Sequence, residues 1–174
     1  MTTAYKFLVV GLLASLTSCV TVKSSIKSDA IPTFQRVLIV TKMRNAPDSY
    51  VRQFARIFPA GYEVCTLALN PLSFDNPDAA IEKQLNECHS DVILTIELVQ
   101  AGHAGQYRGY SSSPYQYNAE MQSVATGQPF WKAIISSNPT YGEQVPPGSI
   151  IKRLLADHII DGKIPAISKL QALN

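Results

Sequence analysis

The sequence predicts an α/β fold: a single domain built on a mixed β-sheet, with its helices mainly on one face. Two observations lead to this prediction. Between residues 36 and 99, short apolar runs alternate with segments of helical periodicity, an order that favours parallel strands joined by helices. After residue 114 apolar and polar residues alternate along a predicted hairpin. This pattern favours an antiparallel extension of the sheet with one solvent-exposed face. The predicted element order is therefore β-α-β-α-β-β-β-α.

The first half of the domain supplies three strands and two helices. The strands are predicted at residues 36–41, 62–69 and 91–99, and the first is apolar enough to be covered on both faces. The first helix is predicted from Pro47 to about Phe58. Its core-facing positions are apolar at helical spacing, namely Tyr50, Val51, Phe54, Ile57 and Phe58.

The second helix is predicted to begin at Asn76-Pro77-Asp78 and to end near Cys88, with Ile81 and Leu85 on its core stripe. Cys65 lies on the preceding strand. Because a strand and its crossover helix pack together, Cys65 and Cys88 can form a disulfide, or both can stay buried thiols. A bridge would add roughly 3 kcal/mol to the free energy of unfolding by the loop-entropy estimate.

The second half supplies a hairpin and a closing helix. Its first strand alternates inward and outward side chains, with Tyr115, Tyr117, Ala119, Met121 and Ser123 on one side. The chain turns at Thr126-Gly127-Gln128 and returns as residues 129–135. A last helix is predicted from Ser149 to Gly162, with His158 as a satisfied histidine inside its apolar stripe.

The N-terminus reads as a targeting segment. Lys6 precedes an apolar run from Phe7 to Leu16, which is shorter than the roughly 20 residues that span a bilayer. The following Leu16-Thr17-Ser18-Cys19 resembles the lipobox of bacterial lipoproteins. That resemblance implies cleavage before Cys19, a diacylglycerol on its thiol and acylation of the new amino group. The alternatives are an ordinary secretory signal peptide and a buried N-terminal helix.

The residues after Cys19 suggest where the anchored protein resides. An Asp directly after the cysteine would imply retention at the inner membrane, but Val20 and Thr21 follow, so the resemblance favours the outer membrane. Residues 21–25 lack the acidic run that some lineages use for surface export, which favours the periplasmic face. The predicted division is a signal peptide at 1–18, a lipidated tether at 19–34, the domain at 35–165 and a C-terminal tail at 166–174.

Composition limits the classes of partner. Removal of residues 1–18 from the 174-residue chain leaves 156 residues. Because Lys6 is removed with them, the remaining chain has 14 basic and 13 acidic side chains. This near-neutral balance gives no electrostatic argument for nucleic acid. The expected partners are the membrane, through lipid on Cys19, and an envelope protein.

Three segments resemble the small α/β domain shared by several envelope lipoproteins. These include the amino-terminal domain of TolB, the outer-membrane activators of penicillin-binding proteins and the curli secretion lipoprotein. The matching segments are Gln84-Leu85-Asn86-Glu87-Cys88-His89-Ser90-Asp91-Val92-Ile93-Leu94, Thr126-Gly127-Gln128-Pro129-Phe130-Trp131 and Asp161-Gly162-Lys163-Ile164-Pro165. The resemblance covers about residues 35–165 and implies a binding or scaffolding module without catalytic chemistry.

The residues themselves suggest no reaction. His89-Ser90-Asp91 contains the residue types of a hydrolase triad, but adjacent residues do not converge as a triad requires, so a helix-to-strand turn is expected. His103 has no second metal ligand at helical or hairpin spacing. We therefore expect no enzyme activity, no cofactor and no metal.

Tyrosines provide the candidate interaction surface. Tyr107, Tyr110, Tyr115 and Tyr117 lie in or beside a loop rich in Gly and Ser, and tyrosine is enriched at protein interfaces. The alternative is that Tyr115 and Tyr117 face the core. Two functions follow as expectations: a protein-interaction or scaffold lipoprotein, or a small-molecule or glycan-binding lipoprotein with a pocket under loop 100–114.

Overall fold

The computed structural model describes residues 20–44, 46–70, 72–102, 113–139 and 143–166. Within these ranges the chain forms six strands and three α-helices. In chain order they are β1 (Val20–Ile26), β2 (Arg36–Lys42), α1 (Asp48–Ile57), β3 (Glu63–Leu69), α2 (Pro77–Cys88), β4 (Val92–Gln100), β5 (Tyr115–Ser123), β6 (Pro129–Ser137) and α3 (Pro147–Ala156). The predicted α/β class is confirmed, and the predicted element order is found from β2 to α3.

The six strands form one mixed sheet in the order β1-β6-β5-β4-β2-β3. Strand β2 runs parallel to both β3 and β4, as the helical crossovers predict. The pairs β4–β5, β5–β6 and β6–β1 are antiparallel. Strands β2, β3, β4 and β6 therefore point one way, while β1 and β5 point the other.

Helices cover both faces of the sheet unequally. Helices α1 and α3 lie on one face, over a core that includes Phe54, Trp131 and Ile150, each buried to 1% exposure or less. Helix α2 lies on the other face, where Ile81 and Leu85 pack against Leu38, Val40 and Ile93. Two of these three helices share one face, in line with the prediction.

Residues 20–26 correct the predicted tether, because they form β1 at one edge of the sheet. The strand pairs with β6 from Val20 opposite Ser137 to Ile26 opposite Trp131. Alternate residues are half-buried and exposed, which is the burial pattern of an amphipathic strand. The folded domain therefore includes residues 20–26, which the sequence assigned to the tether. Residues 1–19 and 167–174, which carry the predicted signal peptide and most of the tail, lie outside the described residues.

A buried carboxylate joins β1 to β6 and α3. Asp157 accepts hydrogen bonds from Ser24 Oγ, from Trp131 Nε1 at 2.7 Å and from Arg153 Nε at 3.0 Å. Its side chain is 5% exposed. Burial alone would raise the pKa of Asp157, but the three donors outweigh burial and hold that pKa below its usual range.

The last helix is shorter than the sequence predicts. It ends at Ala156 rather than Gly162. The next residue, Asp157, caps the helix and makes the hydrogen bonds described above. His158 follows with a left-handed φ of 55° and an exposed side chain, so the prediction of a core histidine is wrong. Ile159 lies in the turn that follows the helix, and its side chain is buried.

Helix α2 is fixed at both ends. Its N-cap Asn76 Oδ1 accepts the backbone N–H of Asp78 at 2.9 Å. At the other end, Cys88 forms a disulfide with Cys65 of β3. His89 then closes the helix with a left-handed φ of 48°, which is the helix-to-strand turn that the sequence predicts.

Candidate functional site

One end of the sheet brings together the segments to which the sequence assigns a function. Because of the strand directions, β1 and β5 begin at this end, and β2, β3, β4 and β6 finish there. We call it the anchor end, because Val20 lies on it and Cys19 precedes Val20 in the chain. The opposite end, where β4 begins at Val92 and β5 finishes at Ser123, is the far end.

The first residue of β1 is already part of the sheet. Val20 lies opposite Ser137 in the register of β1 and β6, and its side chain packs against the main core. Cys19 itself lies outside the described residues. A lipid on Cys19 would be attached one peptide bond from a paired strand, without a flexible linker between them.

Of the four tyrosines of the predicted surface, the structure describes Tyr115 and Tyr117. Tyr117 is fully buried, so its assignment to an interaction surface is wrong and the core alternative holds. Tyr115 is half-buried, with its ring centroid 6.5 Å from that of Tyr117. The physical reason is the alternation of β5, which directs its odd-numbered residues toward the face that α1 and α3 cover. Tyr107 and Tyr110 lie outside the described residues.

Two buried tyrosine hydroxyls hold the segment that leads into α3. The Tyr117 hydroxyl donates to the backbone carbonyl of Glu143, and the Tyr50 hydroxyl donates to that of Val145 at 2.8 Å. Burial raises the pKa of both hydroxyls, so both remain protonated donors at physiological pH. The helical stripe identified Tyr50 as a core residue, but no local pattern indicates which carbonyl its hydroxyl would meet.

A cavity of about 610 Å³ opens at the anchor end, between the ends of β2 and β3 and the start of α1. Its lining mixes apolar and polar side chains: Met43, Arg44, Ala46, Pro47, Asp48, Ala68, Leu69, Asn70 and Gln144. No described residue of loop 100–114 lines it, and residues 103–112 lie outside the described ranges. The predicted pocket under loop 100–114 therefore stays a prediction.

The stem of that loop is closed tightly. A Cβ atom on Gly102 would lie 2.7 Å from the backbone nitrogen of Tyr115 and 2.9 Å from the carbonyl oxygen of Ser113. Only glycine allows this approach. Gly102 and Ser113 are therefore held next to each other at the anchor end.

Three exposed large apolar side chains also lie at this end. Phe74 is fully exposed and Leu72 is 75% exposed, and both follow the end of β3. Val99, near the end of β4, is 50% exposed. The register places Glu97 opposite Lys42, the last residue of β2, so β4 extends three residues further and carries Val99 beyond its neighbour. Leu72 and Phe74 received no role from the sequence, although both are apolar residues within a polar segment, whereas Val99 belongs to the predicted strand 91–99.

The sheet also has a partly bare face. Helix α2 packs on β2 and β3, whereas β1, β6 and β5 carry no described helix on that side. Ile134 stands there with 57% exposure, directly between Lys23 of β1 and Asn118 of β5. We call this the open face. Its charges are mixed, as in the pair of Lys132 Nζ and Glu120 Oε2 at 2.7 Å.

In the described residues, the side chains that the sequence suggested for catalysis or metal binding do not converge on a site. In the described part of the chain, no group of three or more His, Cys, Asp or Glu side chains could hold a metal ion. Ser90 is buried and Asp91 is paired with Arg36 Nη2 at 2.8 Å, so His89-Ser90-Asp91 does not form a triad. His103 lies outside the described residues. None of the helices in the described ranges combines the length and apolarity that a membrane-spanning helix needs.

Comparisons with known proteins add a loose likeness of shape. No protein-family model and no curated protein matches the chain. Among solved structures, a single-substitution variant of the PelC dodecamer from Paraburkholderia phytofirmans is similar at 14% identity and a TM-score of 0.43, covering 83% of this chain and 99% of that one. A second PelC dodecamer structure gives 13% identity and a TM-score of 0.41 with the same coverage.

Proposed function

We propose that the protein is a lipoprotein of the outer membrane that faces the periplasm and serves as an interaction or scaffold module. The observation that carries this proposal is the position of Val20. It follows the lipobox cysteine directly, and it is the first residue of a strand that belongs to the sheet. The lipobox resemblance supplies the anchor, and the fold makes that anchor rigid.

A rigid anchor has a different consequence from a flexible one. An unstructured tether over residues 19–34 would let the domain move over roughly 20 Å from its lipid. A single peptide bond allows a reach of only about 3.8 Å between neighbouring Cα atoms. Two or three acyl chains hold such a protein durably, since each buried CH₂ contributes about 0.8 kcal/mol. The domain is thus held at a defined height above the membrane, which suits a scaffold.

The open face supports the interaction part of the proposal. An exposed Ile134 flanked by Lys23 and Asn118 offers apolar contact area inside a polar surround. Protein interfaces have this composition, with an apolar centre and a polar rim. The balanced charges favour a partner that is recognised by shape and apolar contact rather than by one sign of charge.

Membrane fractionation tests the anchor. We expect the native protein to sediment with outer membranes and to resist a high-salt wash, which removes proteins held by charge alone. The Cys19→Ser variant should be absent from washed membranes, because it cannot form the thioether. Recovery of Cys19→Ser, processed and exported, in the washed outer-membrane fraction at the native level would contradict the proposal.

Photocrosslinking in intact cells tests the open face. A photoreactive residue in place of Ile134 should give a discrete crosslinked product. The same residue in place of Glu82, which is exposed on α2, serves as the matched control. If position 82 gives the same products as position 134, or if neither gives any, the open face is not an interaction surface.

The cavity favours a second candidate, a small-molecule or glycan-binding lipoprotein. Its volume of about 610 Å³ falls within the range of ligand sites. Ala68→Trp would fill it from the side of β3. Native mass spectrometry of protein extracted from membranes should then show a bound small molecule in the native chain but not in Ala68→Trp. An identical mass shift in both variants, or none in the native chain, would remove this candidate.

A further inference from the structure

We propose that Leu72 and Phe74 enter the bilayer to which Cys19 is attached, so that the anchor end of the sheet lies against the membrane at two separate points. This inference rests on the proposed lipidation of Cys19. It adds a second membrane contact, made by side chains, and it fixes the orientation of the domain.

The two contacts lie at opposite edges of the sheet. Strand β1, which begins at Val20, is one edge strand, and β3, which leads to Leu72 and Phe74, is the other. Five strand spacings separate them, which amounts to about 24 Å at the usual 4.8 Å between strands. A lipid at one corner alone would leave the domain free to tilt. A second contact at the other corner sets the plane of the anchor end parallel to the bilayer.

The segment after β3 has its own hydrogen bonds. The backbone N–H of Leu72 donates to Asn70 Oδ1 at 2.9 Å, and Ser73 Oγ donates to Asp75 Oδ2 at 2.8 Å. Asn76 then caps α2. This segment therefore presents Leu72 and Phe74 outward without help from another molecule.

The occupant of this surface is a bilayer rather than a protein because of where the chain is anchored. Cys19 is one residue from Val20, so lipid headgroups lie next to the anchor end. Fully exposed Phe74 is costly in water and favourable in the acyl boundary, where interfacial apolar side chains sit about 5–10 Å deep. The neighbouring Asp75 already accepts the Ser73 hydroxyl, and its carboxylate can remain among the headgroups.

Fluorescence quenching tests the insertion on the full lipidated protein, extracted from membranes and reconstituted into phosphatidylcholine vesicles. In Phe74→Trp, we expect the emission to shift to the blue and to be quenched when the lipids are brominated on their acyl chains. The matched control is Val124→Trp, because Val124 is also exposed but lies at the far end. Its emission should be unchanged by brominated lipids. Trp131 contributes the same buried background in both variants.

The outcomes separate this inference from the proposed function. If Phe74→Trp floats with the vesicles but is not quenched, the lipid anchor stands and the second contact is wrong. If the protein does not float, the anchor itself is wrong. A flexible Gly-Ser insert of about ten residues between Cys19 and Val20 should reduce quenching in Phe74→Trp while flotation persists, because it restores the freedom of a tether. Equal quenching at positions 74 and 124 would also overturn the inference.

Discussion

Trp131 Nε1 donates a hydrogen bond of 2.7 Å to Asp157 Oδ2, and this bond joins the third residue of β6 to the residue after α3. The same carboxylate accepts the hydroxyl of Ser24 in β1. Strand β1 is an edge strand, held by its ladder with β6 and by the packing of Val20 and Val22 against the core. This cluster adds a further attachment. The proposed anchor pulls on the domain through that strand.

Asp157→Ala is expected to lower the free energy of unfolding by about 2–3 kcal/mol, because the buried indole N–H of Trp131 loses its acceptor. Asp157→Asn should cost less, since its side-chain oxygen still accepts. Chemical denaturation measures both. Lys83→Ala, which removes only an exposed ion pair with Glu87, is the control and should change stability by less than about 0.5 kcal/mol. Equal effects of Asp157→Ala and Lys83→Ala would mean that the cluster does not hold β1.

Acid should weaken the domain through Asp91. Hydrogen bonds from the side chain and backbone of Arg36 and from the backbone of Gln35 lower the pKa of Asp91 to about 2 from 3.8. Because the pKa of Asp91 is lower in the folded state than in the unfolded state, the ionised Asp91 carboxylate stabilises the fold above pH 3.8. This stabilisation is lost as the pH falls toward 2. The stability difference between the native protein and Asp91→Asn should therefore shrink over that window in urea titrations. A difference that is independent of pH would contradict the assignment.

Loss of the disulfide should destabilise the domain without changing its fold. The bridge spans a sequence separation of 23 residues, and loop-closure entropy gives roughly 3 kcal/mol for such a loop. We expect the double variant Cys65→Ala/Cys88→Ala to unfold at lower denaturant concentration by that amount. The native protein with a reducing agent should give the same midpoint. If the agent left the native midpoint unchanged, the two thiols would be free in solution.

Tyr117 should behave as a core residue in mutagenesis. Tyr117→Phe removes the hydroxyl that meets the Glu143 carbonyl, and we expect a loss of about 1–2 kcal/mol. Tyr117→Ala should lose about 3–5 kcal/mol, as large-to-small changes in a core do. The control Tyr115→Phe, at a half-buried position, should stay within about 0.5 kcal/mol. If Tyr117→Ala had the stability of the native protein, the assignment of Tyr117 to the core would be wrong.

The strands and helices from Arg36 to Cys88 were predictable because their hydrophobic periods are strong. Strand β1 was missed, although Val20 and Val22 alternate with Thr21 and Lys23. The inward position of Ser24 obscured that alternation. A serine there is stable only because Asp157 and Arg153 meet it from a helix more than 120 residues away, and no local pattern contains that information.

The same limit applies to the end of α3 and to the anchor end. His158 lies at the spacing of the apolar stripe, so the sequence pattern places it in the core. Its exposure follows from the end of the helix at Ala156, where Asp157 accepts a hydrogen bond from Trp131. Leu72 and Phe74 were visible as apolar residues in a polar segment. Their common location with Val20 follows only from the strand directions in the assembled sheet, which the sequence alone did not determine.

We propose that acyl chains on Cys19 fix the start of β1 to a membrane. The most direct measurement is the intact mass of the mature protein extracted from cell membranes, with fragmentation of its first residues. We predict a chain that begins at Cys19 and carries a diacylglycerol and an amide-linked acyl chain on that residue. A mature chain that begins elsewhere, or one that begins at Cys19 without lipid, would contradict the claim.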